Sequence, residues 1–156
     1  MVKKVLKIAV IVLAAAFVIA QFIRPDRTLP PENPAETLEA STRVPPDVEA
    51  ILTRSCVDCH SNRTTYPWYS NISPFSWFLA NHITEGRREL NISTWNTTDT
   101  KHRVRKLDKM CEEVQDVEMP LPSYLWIHWD AKLSQSDVNT LCAWTDAEKA
   151  RLQPGE

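Results

Sequence analysis

The sequence predicts a mainly α-helical protein, and three observations lead to this fold class. The 156 residues include two glycines and eleven prolines, a composition that disfavours tight β-turns and suits helices joined by proline-rich loops. Apolar residues recur three and four positions apart in several segments, which is the spacing of one helix face. These segments begin near Ser, Asp or Pro, residues that commonly start helices. The length indicates one domain with an appendage.

The N-terminal segment, residues 1–24, predicts a single transmembrane helix. Three lysines precede an apolar run from Ile8 to Ala20. If Lys7 extends towards the headgroups, the segment from Val5 to Ile23 approaches the ~20 residues that cross a bilayer. A cleaved signal peptide is the alternative, because small and apolar residues up to Ala20 resemble a cleavage site. Both alternatives leave the lysines on the cytoplasmic side of the membrane and export the chain that follows the apolar run.

Residues 25–46 are predicted to be a proline-rich tether, and residues 47–152 to be the folded domain. Residues 26–46 alone hold five of the eleven prolines, and apolar residues there show no periodicity. The second range predicts four helices, near residues 47–56, 73–90, 99–116 and 134–152. Ser73-Pro74 is typical of an N-cap followed by the first helical residue. Ser134–Asp137 resembles a capping box with Asp in place of Glu.

Charge gives no indication of a nucleic-acid partner. Lys and Arg total 18 and Asp and Glu total 20, for a formal net charge of −2 at pH 7. The chain also lacks a block of consecutive basic residues, the usual sign of a segment that binds nucleic acid. We therefore expect no nucleic-acid partner.

The segment Cys56-Val57-Asp58-Cys59-His60 is the Cys-x-x-Cys-His motif to which c-type haem is attached. Thiols three residues apart lie on one helical turn, where each can add to one haem vinyl group. The adjacent imidazole can then reach the iron from the same side. Two other interpretations are a thiol–disulfide redox pair and half of a zinc site. A zinc site needs a second pair of ligands at suitable spacing, which neither Cys111 nor Cys142 supplies.

Met119 is the predicted second axial ligand of the haem iron. It precedes Pro120 in an irregular loop, and a thioether in this position favours Fe(II) and raises the reduction potential. Met110 is a weaker candidate because it lies within a predicted helix. His82 and His128 are the alternative ligands, the first on a helical stripe and the second in an aromatic segment.

Cys111 and Cys142 are predicted on the apolar faces of two different helices. In an exported protein, such a pair can form a disulfide. The two residues can equally remain buried thiols, since a free cysteine behaves as a small hydrophobic residue. The sequence leaves both alternatives open.

Several short segments of residues 21–145 match the pattern of one known family. Besides Cys56–Asn62, they are Gln21–Pro25, Pro67–Ser70, His82–Ile83, Gly86–Arg87, Leu90–Asn91, Met119–Pro120, Leu133–Ser134 and Trp144–Thr145. In these segments the chain resembles the haem-binding domain family of membrane-anchored, single-haem c-type cytochromes of bacteria. The resemblance implies a small, cytochrome c-like helical domain with one covalent haem c on Cys56, Cys59 and His60. It also points to Met119 as the distal ligand.

These observations predict an electron carrier rather than an enzyme. The haem domain is expected on the outer face of the cytoplasmic membrane, in the periplasm, where it would exchange electrons with an unidentified redox protein. Iron bound by His60 and Met119 would leave no open coordination site for catalysis. The alternative function is a peroxidase-like enzyme or a sensor of diatomic ligands, in which the distal side of the haem is open.

Overall fold

The computed structural model of the chain describes residues 1–153. The α-helices in this part are α1 (Val2–Ala20), α2 (Leu38–Ser41), α3 (Pro46–Ser55), α4 (Val57–His60), α5 (Phe75–Glu89), α6 (Thr100–Gln115), α7 (Pro122–Leu125) and α8 (Gln135–Leu152). Short 3₁₀ helices occur at Pro34–Glu36, Trp68–Asn71, Ile92–Thr97 and Trp129–Ala131. No β-strand occurs among residues 1–153, and the prediction of a mainly α fold is confirmed.

Helices α6 and α8 begin where side chains satisfy their free N–H groups. At α6, the Asp99 carboxylate accepts a hydrogen bond from the His102 N–H at 2.7 Å. At α8, Ser134 and Asp137 form the predicted capping box. The predicted N-cap at Ser73 is wrong. Helix α5 begins at Phe75 with Pro74 as its N-cap, and the Ser73 hydroxyl forms a hydrogen bond with the Ser76 hydroxyl at 3.0 Å instead of capping a backbone N–H.

The main core lies where α3, α6 and α8 meet the turn at Ile92–Thr97. Helices α6 and α8 pack along one another, and a disulfide between Cys111 and Cys142 joins them. The most deeply buried apolar side chains of this core are Leu38, Val48, Ile92, Leu107 and Leu141. The structure thus selects the disulfide from the two alternatives that the sequence left open.

Residues 25–46, predicted to be a tether, fold onto the domain. Leu38 in the single-turn helix α2 is fully buried in the core. The Asn62 side-chain amide donates to the Pro31 carbonyl at 3.1 Å, and Arg63 forms an ion pair with Glu39 at 2.8 Å. One buried leucine in a four-residue helix is too short a pattern to show helical periodicity. For this reason the segment resembled a linker by its composition.

No helix of residues 1–153 is both long enough and apolar enough to cross a membrane, and the transmembrane anchor predicted over residues 1–24 is not supported. Helix α1 ends at Ala20, and Lys3, Lys4 and Lys7 lie within its first two turns. None of its residues is buried.

Hydrogen bonds join the end of α1 to the start of α5. The Gln21 side-chain amide donates to the Ser73 carbonyl at 3.1 Å and accepts from the Ser73 N–H at 3.0 Å. The Trp77 indole donates to the Ile23 carbonyl at 2.6 Å. Arg27 adds a hydrogen bond to the Ser70 hydroxyl at 2.8 Å. These contacts determine where α1 emerges from the domain.

Candidate haem site

The Cys-x-x-Cys-His motif occupies the junction between α3 and α4. Cys56 ends α3 with φ −126° and ψ −41°, so the chain bends there before α4 begins. The N–H groups of Cys59 and His60 both donate to the Cys56 carbonyl, at 3.2 and 2.9 Å. The turn therefore places both thiols and the imidazole close to one another, as the spacing predicts. Both thiols are free, whereas the other two cysteines are paired.

Both free thiols are protonated at neutral pH. Burial and the neighbouring Cys59 raise the pKa of Cys56 to about 12. Burial and the neighbouring Asp58 raise the pKa of Cys59 to about 11. A thiol–disulfide redox protein needs a reactive thiolate and therefore lowers the pKa of its attacking cysteine. The opposite shifts at Cys56 and Cys59 weigh against the thiol–disulfide interpretation.

The imidazole of His60 is oriented by two backbone carbonyls. Its Nδ1 lies 2.9 Å from the Gly86 oxygen and 3.0 Å from the Leu90 oxygen. Because both partners can only accept hydrogen bonds, Nδ1 carries the proton and Nε2 keeps its lone pair. Burial lowers the pKa of His60, which favours this neutral form. A histidine bound to a metal typically has this arrangement, with one nitrogen held by a carbonyl and the other free to coordinate.

Gly86 allows α5 to approach the motif closely enough to orient His60. A Cβ atom at this position would lie 2.9 Å from the Cys59 carbonyl oxygen. Arg87, the next residue, donates from Nε to the Ser61 carbonyl at 2.7 Å. The sequence signal for this role is the position of Gly86 inside a predicted helix, since a glycine there costs about 1 kcal/mol relative to alanine and usually indicates a packing requirement.

A cluster of aromatic and polar side chains lies beside the motif. The Tyr124 hydroxyl donates to Asp58 at 3.3 Å, and the Tyr124 ring stacks on the His128 ring with centroids 4.1 Å apart. The His128 Nε2 shares a hydrogen bond of 2.8 Å with the Tyr69 hydroxyl. The nearby charges of Asp58 and Cys59 contribute, after burial, to raising the pKa of both tyrosines. We call Tyr69, Tyr124 and His128 the aromatic cluster.

Met119 lies in a separate pocket. The N–H groups of Glu118 and Met119 both donate to the Glu113 carbonyl at 3.0 Å, which closes the end of α6. Val117, which lies between the end of α6 and Glu118, adopts a left-handed conformation with φ 61°. The pocket has a volume of about 190 Å³, and its apolar lining includes Val114, Leu125, Leu133 and Val138. None of Cys56, Cys59 and His60 lines it, and ligation of the iron by Met119 stays a prediction.

The two alternative histidine ligands occupy different surroundings. His82 lies on α5, one turn before Gly86, with its ring edge-on to Phe78 at 4.2 Å between centroids. Its Nε2 is buried and has no hydrogen-bond partner among the described residues. His128 belongs to the aromatic cluster, where Tyr69 occupies its Nε2.

The residues of the motif and of α5 fit a haem. Two thiols and one imidazole nitrogen with a free lone pair lie on one turn, as covalent attachment and iron ligation require. The unpartnered Nε2 of His82 is a buried polar atom that protein groups leave unsatisfied, as is common where a ligand binds. Haem would therefore be held by Cys56, Cys59 and His60, next to α5 and the aromatic cluster.

A helical domain that presents an oriented histidine after two free cysteines belongs to the class of haem proteins. The sequence profile of the haem-binding domain family matches residues 15–147. The chain belongs to this family, as its resemblance indicated, and it binds haem. A search of curated proteins and a search of solved structures each found no match.

Proposed function

We propose that the protein carries one haem c, attached covalently to Cys56 and Cys59, and transfers single electrons. Each thiol would add across one vinyl group, forming an S–C bond while its hydrogen goes to the other vinyl carbon. The haem supplies one-electron Fe(III)/Fe(II) chemistry. The observation that carries the proposal is the orientation of His60, whose Nδ1 is held by the carbonyls of Gly86 and Leu90.

The attachment is tested by extracting the purified protein with acid and acetone. The wild-type chain is expected to keep its Soret absorption, because a thioether bond survives this treatment. The double variant Cys56→Ala/Cys59→Ala is expected to lose it. The matched control is Cys111→Ala/Cys142→Ala, which also removes two cysteines and is expected to keep the Soret band. Complete loss of haem from the wild type would overturn covalent attachment.

Met119 is proposed as the second axial ligand, opposite His60. Its support is the loop position before Pro120 and a thioether sulfur that suits haem iron. We expect Met119→Ala to become high-spin, to bind CO and to lose the weak far-red charge-transfer band. The control Met110→Ala removes a methionine that is buried in α6, and it should keep the wild-type spectrum. A low-spin Met119→Ala variant with its far-red band intact would exclude Met119 as ligand.

A haem protein with an open distal side is the second candidate, acting as a peroxidase-like enzyme or a diatomic-ligand sensor. The separate pocket of Met119, which no motif residue lines, favours this candidate. It predicts that the wild-type protein itself is high-spin and binds CO readily, whereas an electron carrier with two axial ligands does neither. The same optical spectra therefore distinguish the two functions.

We also propose that the haem domain works on the outer face of the cytoplasmic membrane, next to a redox protein partner. Helix α1 supports this location, because its exposed side chains are apolar after Lys7 and its charged residues are all lysines near the start. Cell fractionation with a periplasmic reporter fused after residue 153 tests it. Recovery of the active reporter in washed membranes is expected, and recovery in the cytoplasm would overturn the proposal.

A further inference from the structure

The segment from Pro122 to Ala131 is joined to the haem-attachment motif by a small set of contacts. The Tyr124 hydroxyl donates to Asp58, which lies between the two motif cysteines. The Ser55 hydroxyl, just before the motif, donates to the Ala131 carbonyl at 2.9 Å. Both ends of the segment therefore contact the residues that flank or form the haem attachment site.

Apolar burial contributes little to holding the middle of this segment. Trp126 and Trp129 are 84% and 78% exposed, and Ile127 is 52% exposed. His128, in contrast, has specific partners in the domain. Its ring is stacked on Tyr124 at an interplanar angle of 5°, and its Nε2 is hydrogen-bonded to Tyr69. His128 is thus the one residue between Trp126 and Trp129 that connects the segment to another part of the domain by a side-chain hydrogen bond.

The hydrogen bond between His128 and Tyr69 joins residues 59 positions apart in the sequence, and it connects the Pro122–Ala131 segment to the 3₁₀ helix Trp68–Asn71. That short helix packs against α5, which also carries the Gly86 carbonyl bonded to His60. The aromatic cluster therefore connects three elements around the motif: α4 through Asp58, the Pro122–Ala131 segment, and the 3₁₀ helix. Such a connected network orients groups that contact a cofactor.

We propose that Tyr69 and His128 act as one hydrogen-bonded positioning unit, which holds the Pro122–Ala131 segment beside the haem-attachment motif. His128 then affects the haem by placing this segment and does not ligate the iron. The unit is chemically suited to this role, because the hydrogen bond to the Tyr69 hydroxyl occupies Nε2 whether this nitrogen donates or accepts, and Nε2 is then unavailable to a metal. The influence on haem rests on the proposed attachment at Cys56 and Cys59.

A double-mutant cycle with Tyr69→Phe and His128→Phe tests the unit, because each change removes the same hydrogen bond from one side and leaves an aromatic ring. We expect both single variants to shift the haem reduction potential in the same direction while the iron keeps its wild-type spin state. The double variant should shift it no further than the larger single shift. His102→Phe, at a half-buried position on α6 where the imidazole is hydrogen-bonded to Arg105 and not to the aromatic cluster, should leave the potential unchanged.

Two outcomes would overturn the proposal. If His128→Phe changes the spin state and Tyr69→Phe does not, His128 is an iron ligand. If the two shifts add fully in the double variant, or if neither variant shifts the potential, the residues do not act as a unit. His128→Gln guards against misfolding of the phenylalanine variant, since its amide can still bond Tyr69. It should restore the wild-type potential, and this restoration should disappear when Tyr69→Phe is added.

The same cycle, read by urea unfolding of the full chain without haem, separates this proposal from the proposed function. Non-additive losses of stability there would support the positioning unit even if the wild-type chain proves unable to attach haem. Additive losses in the haem-free chain would overturn it even if covalent attachment is confirmed.

Discussion

At the scale of single residues, the lack of a side chain at Gly86 allows the imidazole of His60 to be oriented. The carbonyls of Gly86 in α5 and of Leu90 just after it can reach the His60 Nδ1 only because the α5 backbone lies directly against Cys59. The two carbonyls belong to the main chain and cannot be removed by substitution. Replacing Gly86 by alanine tests the same contact, because it adds one methyl group where the helix meets Cys59. The expected effect is therefore local and large.

Gly86→Ala is expected to lower the free energy of unfolding by about 1–3 kcal/mol, because the added methyl group lies 2.9 Å from the Cys59 oxygen and must displace backbone. Intrinsic helix propensity predicts the opposite sign, a gain of about 1 kcal/mol. Urea unfolding decides between the two effects. Thr84→Ala, an exposed change on the same helix, is the control and should have little effect. A more stable Gly86→Ala variant would show that the close approach is not required.

At the scale of secondary-structure elements, the helices of the domain followed the sequence rules closely, and α8 is the clearest case. Ser134 accepts from the Asp137 N–H at 3.1 Å, and the Asp137 carboxylate accepts from the Ser134 N–H at 2.8 Å. Arg54 from α3 adds an ion pair to the same carboxylate at 3.2 Å. The cap thus begins α8 and also connects it to the helix that precedes the haem-attachment motif.

The capping box predicts a pH dependence of stability. Hydrogen bonds from the Ser134 backbone and side chain, with a smaller contribution from Arg54, lower the pKa of Asp137 below its usual 3.8. The unfolded chain therefore binds this proton more readily, and the stabilisation is present above about pH 4 and lost as the pH falls through the folded pKa.

Ser134→Ala should cost about 1 kcal/mol at pH 7, the usual value of an N-cap, and the cost should shrink towards pH 2. Urea unfolding of wild type and variant between pH 7 and pH 2 measures this difference. The control Ser136→Ala changes a serine of the same turn that makes no capping contact. A pH-independent difference for Ser134→Ala would argue against the linkage to the Asp137 carboxylate.

At the scale of the whole molecule, the disulfide connects two helices that are separated by the entire Met119–Leu133 region. It links Cys111 of α6 to Cys142 of α8 across 31 residues, and the enclosed chain includes Met119 and His128. The cross-link therefore restricts the unfolded chain over the segment that lies beside the haem-attachment motif. Its removal is expected to affect global stability more than local geometry, since α6 and α8 also pack extensively against each other.

Cys111→Ala/Cys142→Ala should lower the unfolding free energy by about 2–4 kcal/mol, through greater entropy of the unfolded chain. Urea unfolding of the oxidised wild type, the reduced wild type and the double variant measures the effect. The reduced wild type should resemble the variant. Equal midpoints for all three would show that helix packing alone sets the stability of the α6–α8 pair.

The sequence by itself determined the mainly α fold, the four principal helices of the domain and the motif Cys56–His60, because these depend on local spacing and capping. It predicted no role for Gly86 or for the pairing of Tyr69 with His128, since both depend on contacts between residues far apart in the chain. It also mistook residues 25–46 for a tether, because a single buried leucine leaves no periodic pattern. Tertiary structure alone decided which carbonyls orient His60, and that Cys111 and Cys142 form a disulfide while Cys56 and Cys59 stay free. The physical reason is the same in each case: helical periodicity is a property of neighbouring residues, whereas a binding site depends on how separate helices pack.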